Sequence, residues 1–325
     1  MQDEIALVTG GTGGIGFFTA LELARRGARV LVTGRDVRRG VEAEAELRRG
    51  AGHDRVHFVR VDHASMVENR DLLGTIAARW DRLDVLVNNV GGAPRLRDGA
   101  RPSVRQETPD GYEATLALNF LAPFAVTDAL LPLLRASAAG RVVNVTSSAH
   151  ARCSGDPFHD LELRQGFVWF RAYARAKLLN LLWSFALARR LAAEGLRVNA
   201  TNPGAAWTAG VRALTPDAVP HWRVTWPLVR WFQRRASPER AALSSVLLAS
   251  ADGLPAASGL YFERDGKPSQ PARRATDFDY QEAAFSLGVR LIASAPTRDP
   301  SSSGVICRPG GEPARPLRST ALRAP

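Results

Sequence analysis

The chain has 325 residues, 45% of them hydrophobic and 23% charged, which supports a sizeable core and excludes a mostly disordered chain, a collagen-like repeat and a coiled coil. Its two cysteines, Cys153 and Cys307, stand far apart without metal-ligand neighbours, which excludes a disulfide scaffold and a zinc site. The formal charge of +11 comes from 43 basic and 32 acidic residues; the arginines are scattered and no nucleic-acid motif accompanies them, so the charge reads as attraction for anionic ligands, not nucleic-acid binding.

In chain order, apolar runs at 5–9, 28–33, 56–61, 85–88, 141–146, 197–201 and 259–262 read as strands. Most are apolar throughout, as parallel strands buried on both faces require. Helical stretches lie between and after them at 15–26, 37–49, 66–80, 112–134, 173–193, 239–249 and 277–292. The alternation implies an α/β fold: a Rossmann-type doubly wound parallel sheet of about seven strands, in a single domain over 1–293. One interruption, at about 205–237, carries Trp207, Trp222, Trp226 and Trp231 with Pro216, Pro220 and Pro227. It follows a strand end, where ligands bind in such folds, and reads as a lid. Residues 294–325, rich in Arg, Pro and Ser, read as a disordered tail.

The chemistry-bearing residues sit where these elements meet. Thr9-Gly10-Gly11-Thr12-Gly13-Gly14-Ile15-Gly16 joins the first strand to the first helix. Its glycines permit a tight turn and close backbone approach, and the helix N-terminus offers N–H groups to a pyrophosphate. The second strand ends Thr33-Gly34-Arg35-Asp36. An acidic residue at this place reads a free ribose 2′-hydroxyl. The planar fork of Arg35 suits a 2′-phosphate, favouring NADP(H) over NAD(H). Ser147 and Ser148 follow the fifth strand, where a hydroxyl can hydrogen-bond a substrate carbonyl. Tyr173 and Lys177, spaced i and i+4, share a helix face. A neighbouring ammonium favours phenolate, which would make Tyr173 an acid/base near neutrality. Asn119 is a poor helix former inside a predicted helix, which points to a job there.

The spacing of Gly10, Gly14 and Gly16 with the Tyr173–Lys177 pair resembles the short-chain dehydrogenase/reductase family. So do Asn88-Asn89-Val90-Gly91, with Val90 in place of the usual Ala, and the segment Pro203-Gly204 to Thr208. The resemblance implies that Gly10, Thr12, Gly13, Gly14, Ile15, Gly16 and Arg35 bind a dinucleotide. It adds Asp62 and the His63 backbone at the adenine, then Asn89, Val90 and Gly91 near the ribose. Tyr173, Lys177, Pro203, Gly204 and Thr208 fall at the nicotinamide half. It selects Ser148 of the two serines to orient the carbonyl, Tyr173 as acid/base, Lys177 as its partner, and Asn119 as holder of a proton-relay water. The segments 141–150, 173–180 and 258–262 resemble the retinol dehydrogenase branch, which implies an apolar aldehyde, ketone or alcohol substrate.

The expected protein is therefore an oxidoreductase using NADP(H) and no metal. The alternatives are a dinucleotide-binding sensor or scaffold without turnover, and a membrane-surface protein docking through the basic, Trp-rich 225–235. No apolar run approaches the roughly 20 residues that span a bilayer, and no signal peptide opens the chain, so the expected location is the cytoplasm. The Arg and Ala content fits a high-GC bacterial source. The apolar helix after Tyr173 serves either a homo-oligomer or packing on its own sheet.

Overall fold

The computed structural model describes residues 1–94, 96, 100–250 and 257–296. The expected tail beyond 296, with Cys307, lies outside the described residues. Among the described residues, eight strands form one sheet: β1 (Ile5–Val8), β2 (Arg29–Gly34), β3 (Val56–Arg60), β4 (Val85–Asn88), β5 (Arg141–Val145), β6 (Arg197–Thr201), β7 (Tyr261–Phe262) and β8 (Pro268–Ser269). Their order is β3-β2-β1-β4-β5-β6-β7-β8. β1 to β7 run parallel, and only β8 pairs antiparallel, at the edge. This adds one strand to the expected seven. With Pro268 opening it and only two residues long, β8 carries no alternation that a sequence could display.

The helices are α1 (Gly14–Arg25), α2 (Val37–Ala51), α3 (Met66–Ala77), α4 (Ala114–Leu116), α5 (Ala122–Arg135), α6 (Trp169–Leu191), α7 (Ala209–Arg212), α8 (Trp226–Arg234), α9 (Pro238–Ser250) and α10 (Phe278–Ser294). Successive strand residues point to opposite faces. Ala6, Val8, Val85 and Val87 pack under α1, α2 and α9, while Leu7, Leu86 and Val142 pack under α3, α5, α6 and α10. Side-chain caps fix several helix starts: Asp36 accepts from Arg39 N, Ser65 from Glu68 N and Asp277 from Tyr280 N.

Three features bear on the sequence expectations. The helix expected over 112–134 is broken: α4 passes into a π-helical turn, Ala117–Leu121, before α5 begins. Together these make a stretch of 22 residues, Ala114–Arg135, long and apolar enough to cross a membrane, yet most of it is buried within the fold. The apolar face of α6 is covered by its own sheet and by α10, where Phe285 and Trp183 both flank Phe124. Finally, the packed domain passes the expected boundary at 293. α10 ends at Ser294, and the Arg70 guanidinium donates to the carbonyl of Pro296 at 2.7 Å.

Candidate active site

The strand order reverses direction between β1 and β4, and the loops leaving the C-terminal ends of β1, β4, β5 and β6 enclose a cavity of about 760 Å³ there. The glycine turn forms one wall. Gly10, Thr12, Gly13, Gly14 and Ile15 line it. α1 starts at Gly14 without any side-chain cap, so its first N–H groups remain open to an anion. Gly14 has φ +57°, and a Cβ there would stand 3.1 Å from Thr208 Cγ2. The first turn and the loop after β6 therefore meet across the cavity. Gly16 does not line it. Its hydrogen faces the Asn89 amide, 2.4 Å from where a Cβ would sit, so this glycine serves close packing of α1 on the β4 loop.

At the end of β2, a Cβ on Gly34 would lie 2.7 Å from Thr12 Cγ2. Thr12 thus fills the place where an acidic side chain would reach a ribose. Of the arginines that follow, Arg39 lines the cavity beside Gly13, and Arg35 does not. Arg39 went unnoticed in the sequence, although a signal was present. The first turn of α2, behind the capping Asp36, holds Arg38 and Arg39, so Arg35 is not the only arginine that follows the strand end. Asp62 and His63 also lie off the cavity lining. The Asp62 carboxylate accepts from Ala64 N. The His63 imidazole is buried between Thr33 Oγ1 and Asn69 Oδ1, with its pKa pushed down to about 4 by that burial. Only the His63 main chain is left for a ligand.

Asn89, Val90 and Gly91 line the cavity floor. The Asn89 amide donates to Thr9 O at 2.8 Å, so its side chain ties β4 to the glycine turn. A Cβ on Gly91 would stand 2.6 Å from Asn119 Oδ1 and 3.1 Å from Lys177 Nζ, which shows how closely these two groups converge beneath it. The π turn presents Asn119: its amide donates to Gly92 O and Thr115 O and accepts from Gly92 N. π turns inside α-helices concentrate at functional sites. The Asn119 carbonyl in turn accepts from Asn180 Nδ2.

Lys177 Nζ donates to Val145 O at 2.8 Å. Burial pushes its pKa down to about 7. Tyr173 stacks on Trp169, with ring centroids 4.9 Å apart. Burial pushes the phenol up, and the Ser147 hydroxyl, hydrogen-bonded to it, opposes that shift. This differs from the expected phenol lowered by an adjacent ammonium. Lys177 Nζ lies 5.8 Å from the Tyr173 ring centroid, and its own charge is suppressed by burial.

The serine assignment is corrected as well. Asn144 and Thr146 send their side chains toward α6, to Ser184 and the Lys177 carbonyl. Continued strand alternation would bring Ser148 to Tyr173. The chain instead stays extended only through Ser147 (φ −164°, ψ 148°) and enters a 3₁₀ turn at Ser148. Ser147 meets the phenol, while Ser148 is exposed at the rim.

After β6, Pro203 and Gly204 line the cavity, and the Thr208 hydroxyl caps α7. Beyond them the lid, through Leu214 and Trp222, and the start of α6, through Trp169 and Phe170, close one end with apolar side chains. Among the described residues, no group of three His, Cys, Asp or Glu is placed to hold a metal ion.

Residues 4–218 match the family model described as short chain dehydrogenase. The chain belongs to the short-chain dehydrogenase family. Within it the relatives fall in the retinol dehydrogenase-like branch. Human retinol dehydrogenase 13 is 34% identical over 296 residues, covering 89% of this chain and 84% of the relative. Mouse polyprenol dehydrogenase is 36% identical over 299 residues, covering 90% and 84%. Among solved structures, an uncharacterised Mycobacterium paratuberculosis protein aligns with a TM-score of 0.66 at 28% identity, covering 90% of this chain and 94% of that one. The Pseudomonas aeruginosa RhlG/NADP active-site complex aligns with a TM-score of 0.60 at 29% identity, covering 82% and 96%. The short-chain dehydrogenase described here is thus an oxidoreductase built for a nicotinamide dinucleotide. Its cavity fits one: an uncapped helix N-terminus, a glycine seat that any Cβ would fill, and a buried lysine with more donors than its single carbonyl acceptor.

The depressed lysine has a measurable consequence. Its pKa falls from an ordinary 10.5 to about 7 on folding. Between these values the unfolded chain binds more protons than the folded one, so this group makes stability rise as pH rises through that window. Chemical denaturation from pH 7 to 10 is expected to show a steeper gain for the wild type than for Lys177→Met. Parallel curves would place the lysine in contact with water.

Proposed function

We propose that this short-chain dehydrogenase uses NADP(H) and interconverts an apolar aldehyde or ketone with its alcohol. The observation that carries the reading is the convergence of Ser147–Tyr173 with Lys177–Asn119 at the apolar end of the cavity. A nicotinamide, when bound, supplies or takes the hydride. The chain does the rest. The Ser147 hydroxyl orients the substrate oxygen and stabilises charge that develops on it. The Tyr173 hydroxyl gives that oxygen a proton or takes one from it. Lys177 carries the proton onward from the phenol, a task suited to an amine titrating at about 7, and Asn119 beside it would hold the relay water. Trp169, Phe170, Leu214 and Trp222 favour an apolar substrate body.

Thr12 against Gly34 supports the phosphorylated cofactor by leaving no room for an acidic 2′-hydroxyl reader, and Arg39 on the cavity wall supports it by charge. Side-by-side titration of NADPH and NADH, read by nicotinamide fluorescence, is expected to give NADPH an affinity at least about tenfold higher. Equal affinities, or a preference for NADH, would overturn the cofactor assignment. Binding of NADPH without oxidation across a panel of apolar aldehydes would favour the sensor reading instead.

A further inference from the structure

The two sides of α8 face different surroundings. On its inner side, Trp226 packs with Trp169, Leu214, Ala218 and Val219. The Arg230 guanidinium lies 4.4 Å from the Trp207 ring centroid and donates to Val211 O, and Gln233 lines the cavity. On its outer side, Leu228, Trp231, Phe232 and Arg235 fall at i, i+3, i+4 and i+7, one continuous face. Leu228 is 57% exposed, Trp231 48%, Phe232 59%, and Val224 just before the helix 95%. Burial of such side chains away from water is favourable, so a face that leaves Leu228, Trp231 and Phe232 exposed calls for a partner.

The charge around this face selects the partner. Residues 222–235 contain Arg223, Arg230, Arg234 and Arg235 and no acidic residue. Arg230 is spent on the inner side. Arg223, Arg234 and Arg235 are exposed, and among the described residues none of them forms an ion pair with a carboxylate. The Arg235 guanidinium lies over the Trp231 ring at 3.5 Å. A short helix with Trp and Phe on one face and arginines at its margins matches an anionic lipid surface, in which rings enter the acyl boundary and guanidinium groups meet phosphates.

We propose that the outer face of α8 docks on an anionic membrane surface. The inner side of the same helix roofs the apolar end of the cavity. Docking therefore brings the site next to the bilayer, where apolar carbonyls and alcohols dissolve. This purpose rests on the oxidoreductase reading above, but docking itself does not require turnover, so the two can fail separately.

The test is sedimentation of the full chain with phosphatidylcholine vesicles, with and without phosphatidylserine, at low and high salt. Phosphatidylserine is expected to raise partitioning about tenfold, and salt to reverse the gain. The double variant Leu228→Ser/Phe232→Ser is expected to lose about tenfold in partitioning, with its melting temperature and NADPH affinity unchanged. Binding that ignores phosphatidylserine would overturn the proposal. So would equal binding by the variant, which would assign the attraction to other arginines. A wild-type dimer that the variant dissociates, without vesicle binding, would identify the partner as a second copy of the chain and also overturn it.

Discussion

Ser147→Ala lowers kcat by about 10²-fold, whereas Ser148→Ala leaves it within about twofold; Tyr173→Phe lowers it by about 10³-fold. These expected results follow from the placement of the two serines: the Ser147 hydroxyl acts on the phenol, and Ser148 lies exposed beyond the end of the strand. The Ser147 loss removes one hydrogen bond to the substrate oxygen as charge develops on it. Tyr173→Phe removes the proton donor itself. It also deletes a hydroxyl from a ring that is stacked on Trp169, so the ring and its packing stay. NADPH affinity should therefore change by no more than about threefold in any of the three variants. Steady-state kinetics with a single apolar aldehyde, together with cofactor titration, reads all of them. A large loss in Ser148→Ala with an intact Ser147→Ala would reverse the assignment. Turnover surviving in Tyr173→Phe would remove the phenol from the mechanism.

The second large effect concerns cofactor choice. Arg39→Ala should weaken NADPH binding by about 10- to 100-fold, the worth of a charge-assisted hydrogen bond of about 1.5–3 kcal/mol. NADH binding should be unchanged within about threefold, because only NADPH carries the 2′-phosphate. Arg35→Ala should cost less, since Arg39 and not Arg35 stands on the cavity wall beside Gly13. The contribution is screened by salt, so the gap between NADPH and NADH should narrow as ionic strength rises. A larger loss in Arg35→Ala would make that residue the phosphate reader. Equal losses for both cofactors would mean that either arginine holds the pyrophosphate or the turn itself.

The fold was legible because its strands are buried on both faces. Runs such as Ile5–Val8 and 85–87 must then be apolar at every position, and the glycine turn marks where the first helix opens. Tyr173, Lys177, Asn119 and the glycines could be placed because helix spacing and turn chemistry are local. What escaped depends on long-range or end-of-element geometry. Ser147 and Ser148 are neighbours of identical chemistry, and only the exit from strand into the 3₁₀ turn tells them apart. Arg39 lies one helical turn beyond the residue that pattern reading favours, and its position depends on how α2 leans over Gly13. The state of Lys177 depends on burial between α6, the β5 carbonyl and the Asn119 turn, three segments distant in sequence. Charge proximity alone gave the opposite expectation for Tyr173.

The π turn at Ala117–Leu121 carries a consequence for how such a protein changes over generations. A π turn holds one residue more than an α-helix needs over the same span. Deleting a single residue there lets α4 run straight into α5 with both helices keeping their core-facing sides. The chain would still fold, but the Asn119 amide would no longer reach Gly92. One lost codon thus separates shape from chemistry, and a lineage can turn this enzyme into an inert nucleotide-binding protein without first passing through an unstable one.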